Sequence, residues 1–151
     1  MSVDIMAAIY ARWNAAGLNT SIAELYPAGE GTKASQNKAG SPEGDALPRA
    51  EYYATTPAPS QKTRGSRVHQ SMAVITVRDK TNEAAVGTFV KNIRAAFVNS
   101  ESAGTSPMTM TGGTVLEVDD GGSLVVKVDD DVFLGQQQLL IRHRIANVTP
   151  A

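Results

Sequence analysis

The apolar positions at the start of the chain recur at helical spacing. Four large apolar or aromatic residues lie three or four positions apart: Met6, Ile9, Tyr10 and Trp13. This spacing predicts a helix over residues 3–16 with one apolar face. Ser2 can cap its start, and Gly17 can adopt the left-handed conformation that ends many helices. A short helical turn is predicted to begin at Ser21 and to end at Pro27.

The next segment, residues 28–47, differs in kind. It carries four glycines and no large apolar residue before Leu47. Such a segment cannot bury enough surface to offset the entropy lost on ordering. Long loops inside compact domains are often functional. We therefore expect a long polar loop that becomes ordered when it contacts a neighbouring molecule.

Two strands are predicted after this loop. Residues 49–56 favour β structure because they include Tyr52 and Tyr53. Residues 67–78 alternate with apolar side chains on both faces, which indicates a central strand. The prolines and polar residues at 57–66 predict a second loop between the two strands.

The clearest predicted element is a second helix, over residues 82–97. Thr81 is a suitable cap, and Glu83 lies in the first turn. Five apolar residues form a continuous stripe along one side of this helix: Val86, Phe89, Val90, Ile93 and Phe97. We expect the stripe to pack against a sheet together with Met6 and Trp13.

The last third of the chain is predicted to be β structure. Residues 115–118 and 124–128 are typical of short strands, and the glycine-containing segment 119–123 between them predicts a hairpin. A final strand is predicted over 138–145. Its alternation places two arginines on one face and three apolar residues on the other: Leu139, Ile141 and Ile145.

This order of elements predicts an α+β fold. We expect a single, mostly antiparallel sheet with two helices packed on one face and long polar loops. A length of 151 residues fits one domain, spanning residues 1–151.

Composition narrows the classes of function. The chain has no cysteine, which excludes disulfides, thiolate nucleophiles and thiolate metal sites. Its net charge of −1 lacks the basic excess of a dedicated nucleic-acid binder. No apolar stretch approaches the roughly 18 residues of a membrane span, and the N-terminus lacks the features of a secretory signal.

Candidate catalytic and metal-binding residues are few. His69 and His143 would form a pair only if their strands were neighbours, and we expect both to lie on the sheet surface or its rim. Five aspartates would gather near the predicted hairpin: Asp119, Asp120, Asp129, Asp130 and Asp131. They lack the spacing of a calcium-binding loop, so solvated turn residues are the expected role.

The remaining motifs are weak. The segment 29–33 resembles a phosphate-binding loop in composition but lacks its spacing. Lys62, Arg64 and Arg67 form a small basic group that is expected to be solvated, although it could meet DNA phosphates. We therefore expect no catalytic, cofactor-binding or metal-binding residues, and no enzymatic activity.

The order of elements resembles the tail terminator and tail-completion family, the head-tail joining or neck proteins of long-tailed bacteriophages. The resemblance rests on the N-terminal helix, the loop ending at Leu47 to Tyr52, the strand 72–78 leading directly into the helix 82–97, a hairpin, and the closing strand 139–145. It spans nearly the whole chain as a pattern of elements. The loop at 28–47 is longer than the family pattern suggests.

The resemblance implies a mechanical role. Subunits would form a homohexameric ring that caps the head-proximal end of the tail tube and joins it to the head-tail connector or stopper protein. Its partners would be other copies of itself, the tail tube protein, and the tail sheath if the tail contracts. Genomic DNA would pass through the lumen without sequence-specific contact, and no membrane or cofactor is implied. The protein would be part of the virion and would assemble in the host cytoplasm.

Three alternatives remain open at this level. One is another neck, stopper or baseplate adaptor of the same particle. The second is a small monomeric binding module. The third is a small hydrolase or metal-dependent enzyme that uses the aspartates, which would need a pocket with convergent polar groups.

Overall fold

The computed structural model describes residues 2–27, 48–55, 58–63, 66–80, 82–99, 108–110, 113–128 and 132–145. The predicted polar loop at 28–47 therefore lies outside the described residues. The elements in these ranges are α1 (Ser2–Ala15), α2 (Leu18–Ser21), β1 (Leu25–Pro27), β2 (Arg49–Ala54), β3 (Ala58–Thr63), β4 (Ser66–Asp79), α3 (Glu83–Phe97), β5 (Gly113–Lys127) and β6 (Phe133–Ile145).

One mixed sheet carries the fold, with the strand order β1-β2-β4-β6-β5. β1 runs parallel to β2, and the other neighbouring strands are antiparallel. The first half of β4 pairs with β3 and the second half with β2, while β6 pairs along the whole of its other edge. The predicted α+β class and the central position of the 67–78 strand are confirmed.

Both long helices pack on the same face of the sheet. Ile5, Ile9 and Trp13 of α1 share one apolar core with Ile93 and Phe97 of α3. The sheet contributes alternate residues of its strands to the same core, among them Tyr52, Ile75, Val77, Leu139 and Ile141. Because side chains alternate across a strand, this pattern leaves the intervening residues on the opposite face.

Polar contacts fix the helices on this core. The Trp13 indole Nε1 donates to the Ala23 carbonyl at 2.9 Å, and the Arg12 Nε donates to the Ala96 carbonyl at 2.9 Å. Gly17 has a φ of 78°, so it adopts the predicted left-handed conformation after α1.

Several local predictions are wrong. The short helix α2 ends at Ser21 instead of beginning there, and Leu25 to Pro27 form a strand that the sequence pattern did not predict. The predicted second loop at 57–66 contains the strand β3, which pairs with β4. The cap of α3 is Asn82, whose Oδ1 accepts from the Ala85 N–H at 2.7 Å, and not Thr81.

The largest correction concerns the predicted hairpin at 119–123. Residues 113–127 form one continuous strand that pairs with β6 throughout, and the reversal of the chain follows Val128. The register shift between Asp120 and Gly122 shows that the glycines form a β-bulge, and a second shift without glycine lies between Val115 and Glu117. A glycine pair that follows two aspartates is equally compatible with a bulge and a turn, because both use positive φ.

Candidate functional site

The two faces of the sheet have different chemistry. In the described ranges, the face opposite the helices carries the ion pairs of Arg49 and Arg78 with Glu51, at 2.8 and 3.3 Å. Tyr53 lies on this helix-free face, opposite Val74, and is 47% exposed. An exposed tyrosine beside a charged network is typical of a protein–protein contact surface.

A second exposed apolar surface lies at the end of β5. We call residues 123–128 the open end of β5. Leu124, Val126 and Val128 are 44%, 44% and 45% exposed, and they alternate along the strand on the helix-free side. Single exposed apolar residues are common, but three in alternation form a continuous surface.

The two histidines occupy directly opposite positions on β4 and β6. Their ring centroids are 5.9 Å apart with an interplanar angle of 24°, so the rings are stacked. The condition for a histidine pair is therefore met. His143 is 1% exposed, so the prediction that it lies on the sheet surface or rim is wrong.

The histidine pair is enclosed among polar and apolar neighbours. The Ser71 Oγ lies 3.2 Å from the His143 Nε2, and Ser71 is also 1% exposed. Among the described residues, the Nδ1 atoms of His69 and His143 have no hydrogen-bond partner. Burial, together with the neighbouring His69, lowers the pKa of His143 to about 4.

This arrangement does not resemble a catalytic centre. A serine beside a histidine suggests nucleophile activation, but that chemistry needs a third group that orients the histidine and a substrate that reaches the hydroxyl. The described residues provide no hydrogen-bonded carboxylate for His143. Because Ser71 and His143 are almost fully buried, neither is accessible to a substrate in this conformation.

The aspartates are not gathered at a turn. Asp119 and Asp120 lie within β5, opposite Leu140 and Leu139, whereas residues 129–131 lie outside the described ranges. No group of three or more metal-binding side chains is present in the part of the chain that the structure describes.

Asp120 is instead the centre of a polar network between β5 and α3. Its Oδ2 accepts from the Arg94 Nε at 2.7 Å, and its Oδ1 accepts from the Gly122 N–H and the Gln137 Nε2, both at 2.8 Å. The hydrogen bond from Arg94 is the main cause that lowers the pKa of Asp120, with further donation from Gly122 and Gln137. Asp120 therefore fixes the bulge in β5 to the helix above it.

The basic group is only partly described. Lys62 of β3 and Arg67 of β4 are backbone partners, so the structure places them side by side in the sheet and not on a loop. Arg64 lies outside the described residues. Among the described residues, no helix is long and apolar enough to cross a membrane.

Sequence reasoning missed the buried polar residues. Gln137 is fully buried, and a signal for this lies in its alternation with Leu139 and Ile141, which places it on the core face of β6. Ser71 occupies the equivalent position on β4, opposite Ile141. The pairing of Arg94 with Asp120 had no local signal, because 26 residues separate the two.

Comparison with known proteins shows the fold alone. No protein-family model and no curated protein matches the chain. Among solved structures, one similar chain belongs to the virion of a native gene transfer agent particle, with a TM-score of 0.58 and 18% sequence identity. The likeness covers 92% of this chain and 92% of that chain. The protein therefore shares its fold, over nearly its full length, with a component of a virion.

Proposed function

We propose that this protein is a structural virion subunit that forms a ring at the head-proximal end of a phage tail tube. One observation carries the proposal: its fold matches a chain of a gene transfer agent virion, a phage-like particle, over 92% of both chains. In this proposal the ring stops growth of the tail tube and joins it to the head-tail connector. DNA passes through the lumen without sequence-specific contact.

Burial and charge in the described residues support a mechanical role. The polar residues that could suggest chemistry, Ser71 and His143, are enclosed, and Asp120 is engaged by α3. The exposed apolar surface lies instead on the helix-free face and at the open end of β5. Surfaces of this kind contribute to binding a protein partner and not to binding a small substrate.

A ring needs two different surfaces on each subunit, because a rotational contact joins one patch to a different patch of the next copy. We assign one of them to the helix-free face around Tyr53 and the Arg49–Glu51–Arg78 network. Tyrosine and arginine are enriched at the centres of protein interfaces. The side chains of Glu51 and Arg49 are 17% and 21% exposed, so the network is already partly ordered before contact.

The test is the mass of the assembly, with and without its partner. The isolated chain and its mixture with the tail tube protein of the same particle would be measured by sedimentation velocity and imaged by negative-stain electron microscopy. Rings that cap the ends of tubes and shorten the tube-length distribution are the expected result. A chain that stays monomeric at all concentrations and leaves tube length unchanged would refute the ring.

A matched pair of variants links the ring to its surface. Tyr53→Ala should reduce ring formation without lowering the melting temperature, because its side chain is half exposed. Thr114→Ala, an exposed change on β5, is the control and should assemble normally. Equal assembly of both variants would show that the region around Tyr53 is not part of the interface.

The same particle contains other positions for such a subunit, in the neck, stopper or baseplate. Labelling of the subunit in intact particles would distinguish them. A label at the junction of head and tail supports the terminator position. A label at the distal end would make the protein a baseplate adaptor and contradict the proposed role.

A further inference from the structure

The edges of the sheet differ in how well they can accept another strand. β1 has three residues and ends on Pro27, and β3 contains Pro59. Proline has no N–H to donate to a neighbouring strand, so it protects an edge against pairing. β5 is the outer strand on the other side of the sheet, has 15 residues and contains no proline.

The first half of β5 already has its edge covered. The N–H of Asn99 donates to the Val118 carbonyl at 3.0 Å, and the Val118 N–H donates to the Asn99 Oδ1 at 2.8 Å. Asn99 thus occupies the place that a neighbouring strand would take. No comparable contact of the described residues covers the edge beyond the bulge at Asp120 and Gly122.

At the open end of β5, one hydrogen bond shows which edge each backbone N–H and C=O group faces. The Val128 N–H donates to the Val132 carbonyl at 2.9 Å, so it points towards β6. Backbone groups alternate between the two edges of a strand. The N–H and C=O groups of Val125 and Lys127 therefore point to the outer edge, where a further strand could bind them.

We propose that this edge pairs with the same edge of a second copy of the chain, antiparallel and with Val126 on the two-fold axis. In this register Leu124 lies opposite Val128 of the second copy, and the two Val126 side chains face each other. All six exposed apolar side chains then lie together on one face. Val125 and Lys127 of one copy exchange backbone hydrogen bonds with Lys127 and Val125 of the other.

The neighbouring registers are worse. A two-fold axis at Lys127 would place two ammonium groups directly opposite each other, and like charges in that position destabilise a sheet. An axis at Val125 would place Val128 opposite Gly122 at the bulge, where there is no side chain to pack against. Of these three registers, only the one centred on Val126 therefore places apolar side chains opposite apolar side chains throughout the open end.

The contact is small, and its symmetry sets it apart from the ring. Six residues a side bury much less than the roughly 1,200 Å² of a standard interface, so the dimer should be weak and depend on concentration. A two-fold contact closes on itself, whereas a ring repeats a contact between different patches. The inference therefore does not rest on the proposed function, and either can fail alone.

Cysteine cross-linking tests the register, since the natural chain contains no cysteine. Val126→Cys should oxidise to a covalent dimer, because directly opposite residues in a non-hydrogen-bonded pair have Cα atoms about 4.5 Å apart, within disulfide reach. Leu124→Cys would be about 13 Å from its counterpart, and Thr114→Cys on the order of 70 Å. Both are matched controls on the same strand and should form no disulfide-linked dimer. Equal cross-linking of the three variants would overturn the proposal.

A proline variant tests the backbone pairing without relying on oxidation. Val125→Pro removes an outward N–H and leaves the inward bonds to β6 in place, so the fold should persist by circular dichroism. Two hydrogen bonds are lost per dimer, and the dissociation constant measured by sedimentation equilibrium should rise at least about tenfold. An unchanged dissociation constant in a folded variant would contradict strand pairing. Ring formation on tail tubes is measured separately, and we expect it to be unchanged in Val125→Pro.

Discussion

The two halves of β5 belong to one strand but have opposite environments. Val115 and Val118, before the bulge, are 6% and 0% exposed. Leu124 and Val126, after it, are each 44% exposed. The pairing with β6 accounts for the difference, because it places Val115 and Val118 on the core face and Leu124 and Val126 on the helix-free face.

The bulge at Asp120 and Gly122 produces this change of face, because one extra residue moves every later side chain to the other side of the strand. Near its start, α3 lies over β6, because a Cβ added at Gly135 would meet the side chains of Val86 and Val90 at 2.6 Å. Near its end, the Arg94 guanidinium reaches Asp120 on β5. The helix therefore lies over the core face, whereas the apolar residues of the open end lie on the other face. The same kind of residue is buried in one half and exposed in the other because one inserted residue changes the face on which it lies.

The difference in burial between the two halves can be tested with one substitution in each half, at two valines of the same strand. Val118→Asp should lower the free energy of unfolding by about 3–5 kcal/mol, because it buries an unpaired charge. Val126→Asp should cost at most about 1 kcal/mol, since only strand preference opposes it. Chemical denaturation of both variants measures the difference. Equal losses would mean that the two halves are equally buried.

The sequence predicted those parts of the fold that depend on local periodicity. The α1 stripe, the α3 stripe and the two-sided strand β4 all have a period that a short window reveals. Four of the five predicted α3 stripe residues are buried; Phe89 is only partly buried. Ala96 takes a buried position in its place, because the contact side of a helix is set by its partner and not by hydrophobicity alone.

The site was less predictable because its features are not local. The stacking of His69 on His143 requires the register of two strands 74 positions apart, and no window of sequence contains that register. The sequence pattern predicts a hairpin before the open end of β5, since a glycine pair that follows two aspartates fits a turn as well as a bulge. Only the pairing of 113–127 with a single partner strand decides between the two.

Acid should lower the free energy of unfolding through a group that lies beside the buried first half of β5. His143 lies opposite Val115 and has a pKa of about 4, below the usual 6.5. Because the folded pKa is depressed, the unfolded chain binds the proton first, and stability falls as the pH drops from about 6.5 towards 4. The loss should be on the order of 3 kcal/mol, measured by denaturation at a series of pH values.

The control for this effect is His143→Gln, which removes the titrating group and keeps a polar side chain near Ser71. Its stability should be nearly constant over that pH range. His69→Gln should keep most of the slope, because burial is the first cause of the shift and His69 only the second. An unchanged slope in His143→Gln would show that another group is responsible.

A smaller effect is expected at the boundary between the halves. Asp120→Ala removes the acceptor for Arg94, Gly122 and Gln137, and should cost about 1 kcal/mol because the ion pair is partly exposed. The pKa of Asp120 is lowered in the folded state, so its contribution is present above the ordinary value of 3.8 and is lost as the pH falls through the folded value. Variant and natural protein should therefore become equally stable in strong acid. A difference that persists there would mean that packing, not charge, holds the bulge.

The last prediction is that divalent cations have no effect at the aspartates on either side of the open end. Asp119 lies in the strand opposite Leu140, and Asp130 follows Val128 in the sequence. If these carboxylates held a divalent cation, the metal would bind the native state and raise the melting temperature by mass action. We expect no rise with Ca²⁺ or Mg²⁺ in the natural protein, and unchanged assembly in the double variant Asp119→Asn with Asp130→Asn. A metal-dependent rise that the double variant abolishes would show that at least one of these carboxylates belongs to a cation site, and would contradict the expected role of solvated side chains.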